Sequence, residues 1–158
     1  MKRLIATYAL LMVLSMIVVS CEHKELCYSH PHSAKVSVEF EWSQMPAAYS
    51  PGGMRVIFYP RNGGEEIVRD FVGKKGGCVE IPSGVYDVVC FNNDTQRVKY
   101  NGADGFSSIA ATTGVAQVGD VKVFRTPDYL CGGRMVAVEV EVKIGCEQII
   151  VLPVAPMV

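Results

Sequence analysis

Val36, Val38, Phe40 and Trp42 alternate with Lys35, Ser37, Glu39 and Glu41. A period of two gives an extended chain one apolar face, so this stretch predicts a half-buried strand. MRVIFYP at 54–60 predicts a second strand and EIVRDF at 66–71 a third, with Asn62-Gly63-Gly64 between them as a tight turn. CVEIPSGVYDVVCFNND at 78–94 reads as a hairpin turning at Pro82-Ser83-Gly84. In its second arm Val88, Val89, Cys90 and Phe91 are consecutive and apolar. That arm is expected to be a central strand covered on both faces. QRVKY (96–100) and FSSIAATT (106–113) are shorter candidates. The longest alternation sets Val136, Val138, Val140, Val142 and Ile144 against Ala137, Glu139, Glu141 and Lys143, and QIIVLPV at 148–154 follows. No stretch after residue 20 carries a helical period. Short strands punctuated by Gly, Pro and Asn predict an all-β fold, a β-sandwich.

The first twenty residues follow a different pattern. Lys2 and Arg3 precede an uncharged apolar run from Leu4 to Val19, which ends at the small residue Ser20. This is the layout of a secretory signal, here read as an N-terminal signal helix. The run is shorter than the ~20 residues of a membrane span, and Glu22, His23, Lys24 and Glu25 follow at once. Val18-Val19-Ser20-Cys21 fits the bacterial lipobox. Cleavage there would expose Cys21 as a new N-terminus whose thiol carries a diacylglycerol, and two or three acyl chains hold a protein firmly to a membrane. The domain reading is a signal peptide over 1–20, a lipid-anchored leash over 21–33 and a β-sandwich over 34–130. Residues 131–158 are either the last strands of that sandwich or the start of a second β-domain cut short, since the chain stops after a strand and two prolines.

Removing residues 1–20 from the 158 leaves 138, enough for a sizeable core. That mature chain carries 13 basic and 16 acidic residues, with no basic run, which argues against nucleic-acid binding. After acylation of Cys21, five cysteines remain: Cys27, Cys78, Cys90, Cys131 and Cys146. An odd number cannot pair fully within one chain. Cys131 and Cys146 flank the long strand, about 33 Å at ~3.3 Å per residue and far beyond bridging reach. The expectation is mostly reduced, partly buried thiols acting as small apolar residues.

All three histidines, with Cys21 and Cys27, fall in CEHKELCYSHPH at 21–32. His23, Cys27, His30 and His32 are ligand types that suit zinc, but a structural site draws its ligands from two rigid elements at fixed spacing. Here they crowd one short segment interrupted by Pro31. The segment is therefore read as a leash, with LCYSHPH docking against the first strand and no metal or other cofactor. Catalysis has no support either. A Ser or Cys nucleophile needs a histidine base, all histidines lie on the leash, and no G-x-S-x-G is present. The Gly-rich pieces PGG, NGG, KKGG and CGG do not open helices and are read as hairpin turns. Asn93-Asp94-Thr95 matches a glycosylation acceptor, a weak signal in a bacterial lipoprotein.

HKELCYSHPHSAKVSVEFEW, PGGMRVIFYP, GGCVEIPSGVYDVVCFNNDT and TPDYL together carry a resemblance. The chain resembles a family of lipoproteins of gut and oral Gram-negative anaerobes, catalogued as a domain of unknown function and similar to fimbrillin-associated lipoproteins. The most specific pieces are Leu26-Cys27-Tyr28, Gly53-Met54, and Pro82-x-Gly84-x-Tyr86 leading to Asn92-Asn93-Asp94. The resemblance implies a transthyretin-like, Greek-key β-sandwich, often followed by a second β-domain. It also implies a non-catalytic accessory or anchor subunit of a fimbria-like assembly, held at the outer membrane and cell surface by acylated Cys21. Partner subunits would join by strand pairing, for which Val136–Ile144 is the candidate. The alternative is a surface lipoprotein that binds glycan or another extracellular ligand, with Trp42, Tyr49, Tyr59 and Tyr100 as aromatic residues able to stack on sugars.

Overall fold

The computed structural model describes residues 32–124, 128–143 and 148–157, and the described residues contain strands and turns but no helix. Two sheets face each other. The first has three strands: β1 (Ser33–Glu41) lies between β4 (Gly77–Pro82), antiparallel to it, and β11 (Gln148–Pro153), parallel to it. The second is fully antiparallel. It comprises β2 (Gly53–Pro60), β3 (Ile67–Val72), β5 (Gly84–Asn92), β10 (Cys131–Val140) and β12 (Ala155–Pro156), in the order β12-β10-β5-β2-β3. The protein is an all-β sandwich.

The alternation in β1 does what it predicts. Val36, Val38 and Phe40 point inward with Ile81, Ile150 and Leu152. Met54, Val56, Phe58, Val88 and Cys90 meet them from the facing sheet. A second, smaller core explains the unbroken apolar runs. Ile57, Tyr59, Val89 and Phe91 occupy the opposite face of β2 and β5, where Ile109, Phe106, Ala103 and Tyr100 cover them. The cover is the excursion through β6 (Val98–Asn101) and β7 (Ala110–Thr113), a two-stranded sheet. Strands buried on both faces lose the reason to alternate.

Several expectations are corrected. The proposed hairpin at 78–94 does not form, because its two arms sit in different sheets. Both sides of β5 are taken by β2 and β10. β4 alternates exposed Cys78 and Glu80 with more buried Val79 and Ile81, which suits a sheet with one wet face beside β1. The chain crosses between sheets at Ser83, whose N–H donates to the His32 carbonyl at 2.8 Å, while the Tyr86 hydroxyl donates back to the Pro82 carbonyl at 2.8 Å.

The long alternating strand is also shifted. β10 begins at Cys131 and ends at Val140, with its register slipping between Met135 and Val138. Ala137 there has a φ of 55°, the left-handed region. One inserted residue flips the faces. Val140 is consequently buried while Val136 and Val142 are exposed, and Ile144 lies outside the described residues. CGG is likewise not a turn. Gly132 and Gly133 are strand residues, and a Cβ on Gly133 would overlap the Pro153 carbonyl oxygen.

Cys78 is disulfide-bonded, which overturns the reduced-thiol expectation for that residue. Cys90 and Cys131 are free and fully buried, as small apolar residues should be. Cys21, Cys27 and Cys146 lie outside the described residues. An unforeseen hairpin of β8 (Val115–Val118) and β9 (Val121–Phe124) completes the fold.

Candidate functional site

β2 starts, β5 ends and β10 starts at the same end of the five-stranded sheet, because Met54 pairs with Asn92 and Gly132 with Phe91. The chain flanking those three points encloses a cleft of about 260 Å³, lined by Tyr49, Asn92, Asp94, Thr95, Gln96, Asp128 and Tyr129.

Asn92 is its keystone. It is a polar side chain only 1% exposed, and each of its hydrogen-bonding atoms has a partner. Its amide donates to Asp94 Oδ1 at 2.9 Å and to the Tyr129 carbonyl at 3.0 Å, and its oxygen accepts from the Cys131 N–H at 2.9 Å. Asp94 Oδ2 accepts from the Gly52 N–H at 2.6 Å. Asp128 Oδ2 accepts from the N–H groups of Gln96 and Arg97 at 2.7 and 2.6 Å. Asn93 fixes the same corner: its N–H donates to the Gly53 carbonyl, and a Cβ on Gly53 would collide with its side-chain oxygen. The Asn93 side chain also bonds Asp70, so the glycosylation-acceptor asparagine has a structural role here.

Two aromatic rings form one wall. Tyr49 and Tyr129 pack with centroids 4.5 Å apart and planes tilted by 38°, and Tyr129 stays half exposed. Burial, with a contact to the Cys131 thiol, raises the Tyr49 phenol well above its ordinary range. Burial pushes the Tyr100 phenol up to about 12 and raises the Cys131 thiol. All three are therefore neutral near pH 7. The carboxylates of Asp94 and Asp128 remain, and among the described residues no Lys or Arg ion-pairs with either. No group of three or more His, Cys, Asp or Glu able to hold a metal occurs among the described residues. The cleft presents aromatic surface and hydrogen-bonding groups.

A second feature lies along β10. One edge of this strand pairs with β5 from Gly132 to Val140, interrupted at the slip, while the other meets β12 only at Cys131 and Gly132. Further along, the Gln148 side chain occupies that edge. Its amide donates to the Glu139 carbonyl at 2.5 Å, and its oxygen accepts from the Glu141 N–H at 2.9 Å. One side-chain amide thus engages a donor and an acceptor that an added strand would use.

The residues singled out from sequence are mostly scattered. Cys21, His23, Cys27 and His30 lie outside the described residues, and His32 is exposed just before β1. Of the four candidate aromatic residues, only Tyr49 reaches the cleft. Trp42 packs on the core and donates its indole N–H to the Lys74 carbonyl at 3.3 Å. Tyr59 is buried with its hydroxyl on the Ala103 carbonyl, and Tyr100 stacks on Phe91 at 3.8 Å. Tyr129 and Asp128 were missed as site residues, although TPDYL and NND had been singled out as distinctive motifs. Both motifs converge here with PGG.

Residues 20–158 match a family model described as "Domain of unknown function (DUF5119)". Over 129 residues the chain is 30% identical to a Bacteroides ovatus protein named "Putative fimbrium anchoring subunit Fim4B", covering 78% of this chain and 38% of that one. It superposes on the crystal structure of "a putative adhesin" from Bacteroides ovatus with a TM-score of 0.70 at 24% identity, covering 79% of this chain and 45% of that one. The superposition establishes the fold. The chain spans less than half the length of either relative.

Proposed function

Because this chain belongs to the DUF5119 family, whose model it matches over 20–158, we propose that it is a lipid-anchored, non-catalytic cell-surface protein, an accessory or anchor subunit of a fimbria-like assembly. The observation that carries this reading is the 30% identity over 129 residues to the relative named for anchoring a fimbrium. In this proposal residues 1–20 are the signal peptide, Cys21 takes the acyl chains at the outer membrane, and 21–33 form the leash. Residues 131–158 go with the sandwich, since β10, β11 and β12 pair within its two sheets. The incompletely paired edge of β10 is where a fimbrial partner would add a strand.

The test is a pull-down of the C-terminally tagged chain from gently solubilised outer membranes. A ladder of fimbrial subunits is expected with the native chain. Cys21→Ala should lose both the ladder and membrane attachment. Recovery of the native chain alone would overturn the fimbrial assignment, and membrane attachment that survives Cys21→Ala would overturn the lipid anchor.

A further inference from the structure

We propose that the cleft bounded by Tyr49, Asp94, Gln96, Asp128 and Tyr129 is a binding site for a hydroxyl-rich ligand, a pyranose unit of a glycan. The argument starts from which hydrogen bonds are already made. Asn92 ties the 92–94 and 129–131 segments together, and Asp94 ties them to the third wall at the Gly52 N–H, so the cleft is shaped before any ligand arrives. Several groups at its surface have no hydrogen-bond partner among the described residues. Asp128 accepts only through Oδ2, leaving Oδ1 as an acceptor. The Gln96 side-chain amide and the Tyr129 hydroxyl make no hydrogen bond there, and the Tyr49 hydroxyl meets only the Cys131 thiol at 3.8 Å.

The cleft therefore offers donors and acceptors side by side. A sugar hydroxyl is donor and acceptor at once and uses both kinds, whereas a cation uses acceptors alone. The half-exposed Tyr129 ring, backed by Tyr49 at 4.5 Å, adds a fixed apolar surface for the C–H face of a pyranose. A volume of about 260 Å³ falls just below the ~300 Å³ at which pockets for drug-sized molecules begin, which suits one ring rather than an extended chain. A divalent cation is a poorer fit, since no three metal-ligating side chains of the His, Cys, Asp or Glu type gather among the described residues.

The experiment uses the full chain in detergent, on a glycan array and then by saturation-transfer NMR with the methyl glycosides of glucose, galactose, mannose and N-acetylglucosamine. Tyr129→Ala and Gln96→Ala are compared with the native chain after thermal melts establish that they fold. Both side chains are exposed, and if one variant fails to fold the other decides. At least one glycan should bind saturably, with affinity reduced tenfold or more in each folded variant. The proposal is overturned if no glycan binds in either format, or if the variants bind as well as the native chain. Binding of N-acetyl-lysine methylamide in place of the glycosides, lost in Asp128→Asn, would overturn it in favour of a cation pocket.

Discussion

Ala137 holds a left-handed backbone at φ 55° that an alanine adopts only at a cost. What keeps it there is Asp87, whose Oδ1 accepts from the Ala137 N–H at 2.9 Å and from Arg61 Nε at 2.8 Å. Ala137→Gly removes the steric cost and keeps the N–H, so it should stabilise the fold by roughly 0.5–1 kcal/mol, read from a denaturant midpoint shifted upward at unchanged m. The hydrogen bond from Ala137, reinforced by Arg61, holds the Asp87 carboxyl below the usual carboxylate range. A depressed folded-state value means the stabilisation is full above the unfolded value near ~3.9 and drains as pH falls through the lower folded one. Native protein should therefore exceed Asp87→Asn in stability by a constant margin at pH 6–7. That margin should shrink below about pH 4, and a margin flat to pH 2 would refute the linkage. The thiols give a further test at this scale. Burial pushes Cys90 up to about 12 and raises Cys131, so neither should react with iodoacetamide in the folded protein at pH 8, while both should be alkylated in denaturant.

At the scale of elements, sequence pattern reported burial better than it reported partners. Alternation located β1, and the consecutive apolar residues of 88–91 foretold a strand covered twice, because both follow from side-chain period alone. The partner of β4 was not legible: Pro82-Ser83-Gly84 looks the same whether the chain turns back within a sheet or crosses to the facing one. The slip in β10 hid for a related reason, since Val at 136, 138, 140 and 142 keeps its period in sequence while one inserted backbone residue rotates the faces. The cleft was half legible. Its motifs stand out in sequence, but Asp94 and the Tyr129 backbone meet through Asn92, a contact between chain segments far apart in sequence. The Gln148 bridge is an element-scale device with its own consequence. Gln148→Ala frees the Glu139 carbonyl and the Glu141 N–H, so the chain leaving β10 should lose amide-exchange protection at Glu141. If β10 is where partners pair, the same variant should raise recovery of fimbrial subunits in the pull-down, whereas unchanged recovery would place partner pairing elsewhere.

For the whole molecule, the decisive strand is β11. It lies parallel to β1, from Val36 opposite Gln148 to Glu41 opposite Pro153, and so joins the two ends of the described chain in one sheet. It also delivers Ile150 and Leu152 to the main core, and Val154 follows as the chain passes to β12. Leu152 is fully buried, so Leu152→Ala should cost about 2–5 kcal/mol, a large part of the roughly 5–15 kcal/mol that holds a typical domain together. Deleting 148–158 is harsher, because it strips β1 of a neighbour and leaves the inner face of the three-stranded sheet open to water. The truncated chain should show no cooperative melt. A synthetic peptide spanning 148–157 should restore one by adding its backbone to the vacated edge of β1, with the midpoint rising as peptide concentration rises. Recovery by this peptide, and not by one with Ile150 and Leu152 changed to Asp, would mean that the sandwich accepts a strand in trans through the core contacts it makes in cis. Failure of the native peptide would mean that the slot forms only while its own strand is attached, and strand exchange at this edge would then be excluded as a route to assembly.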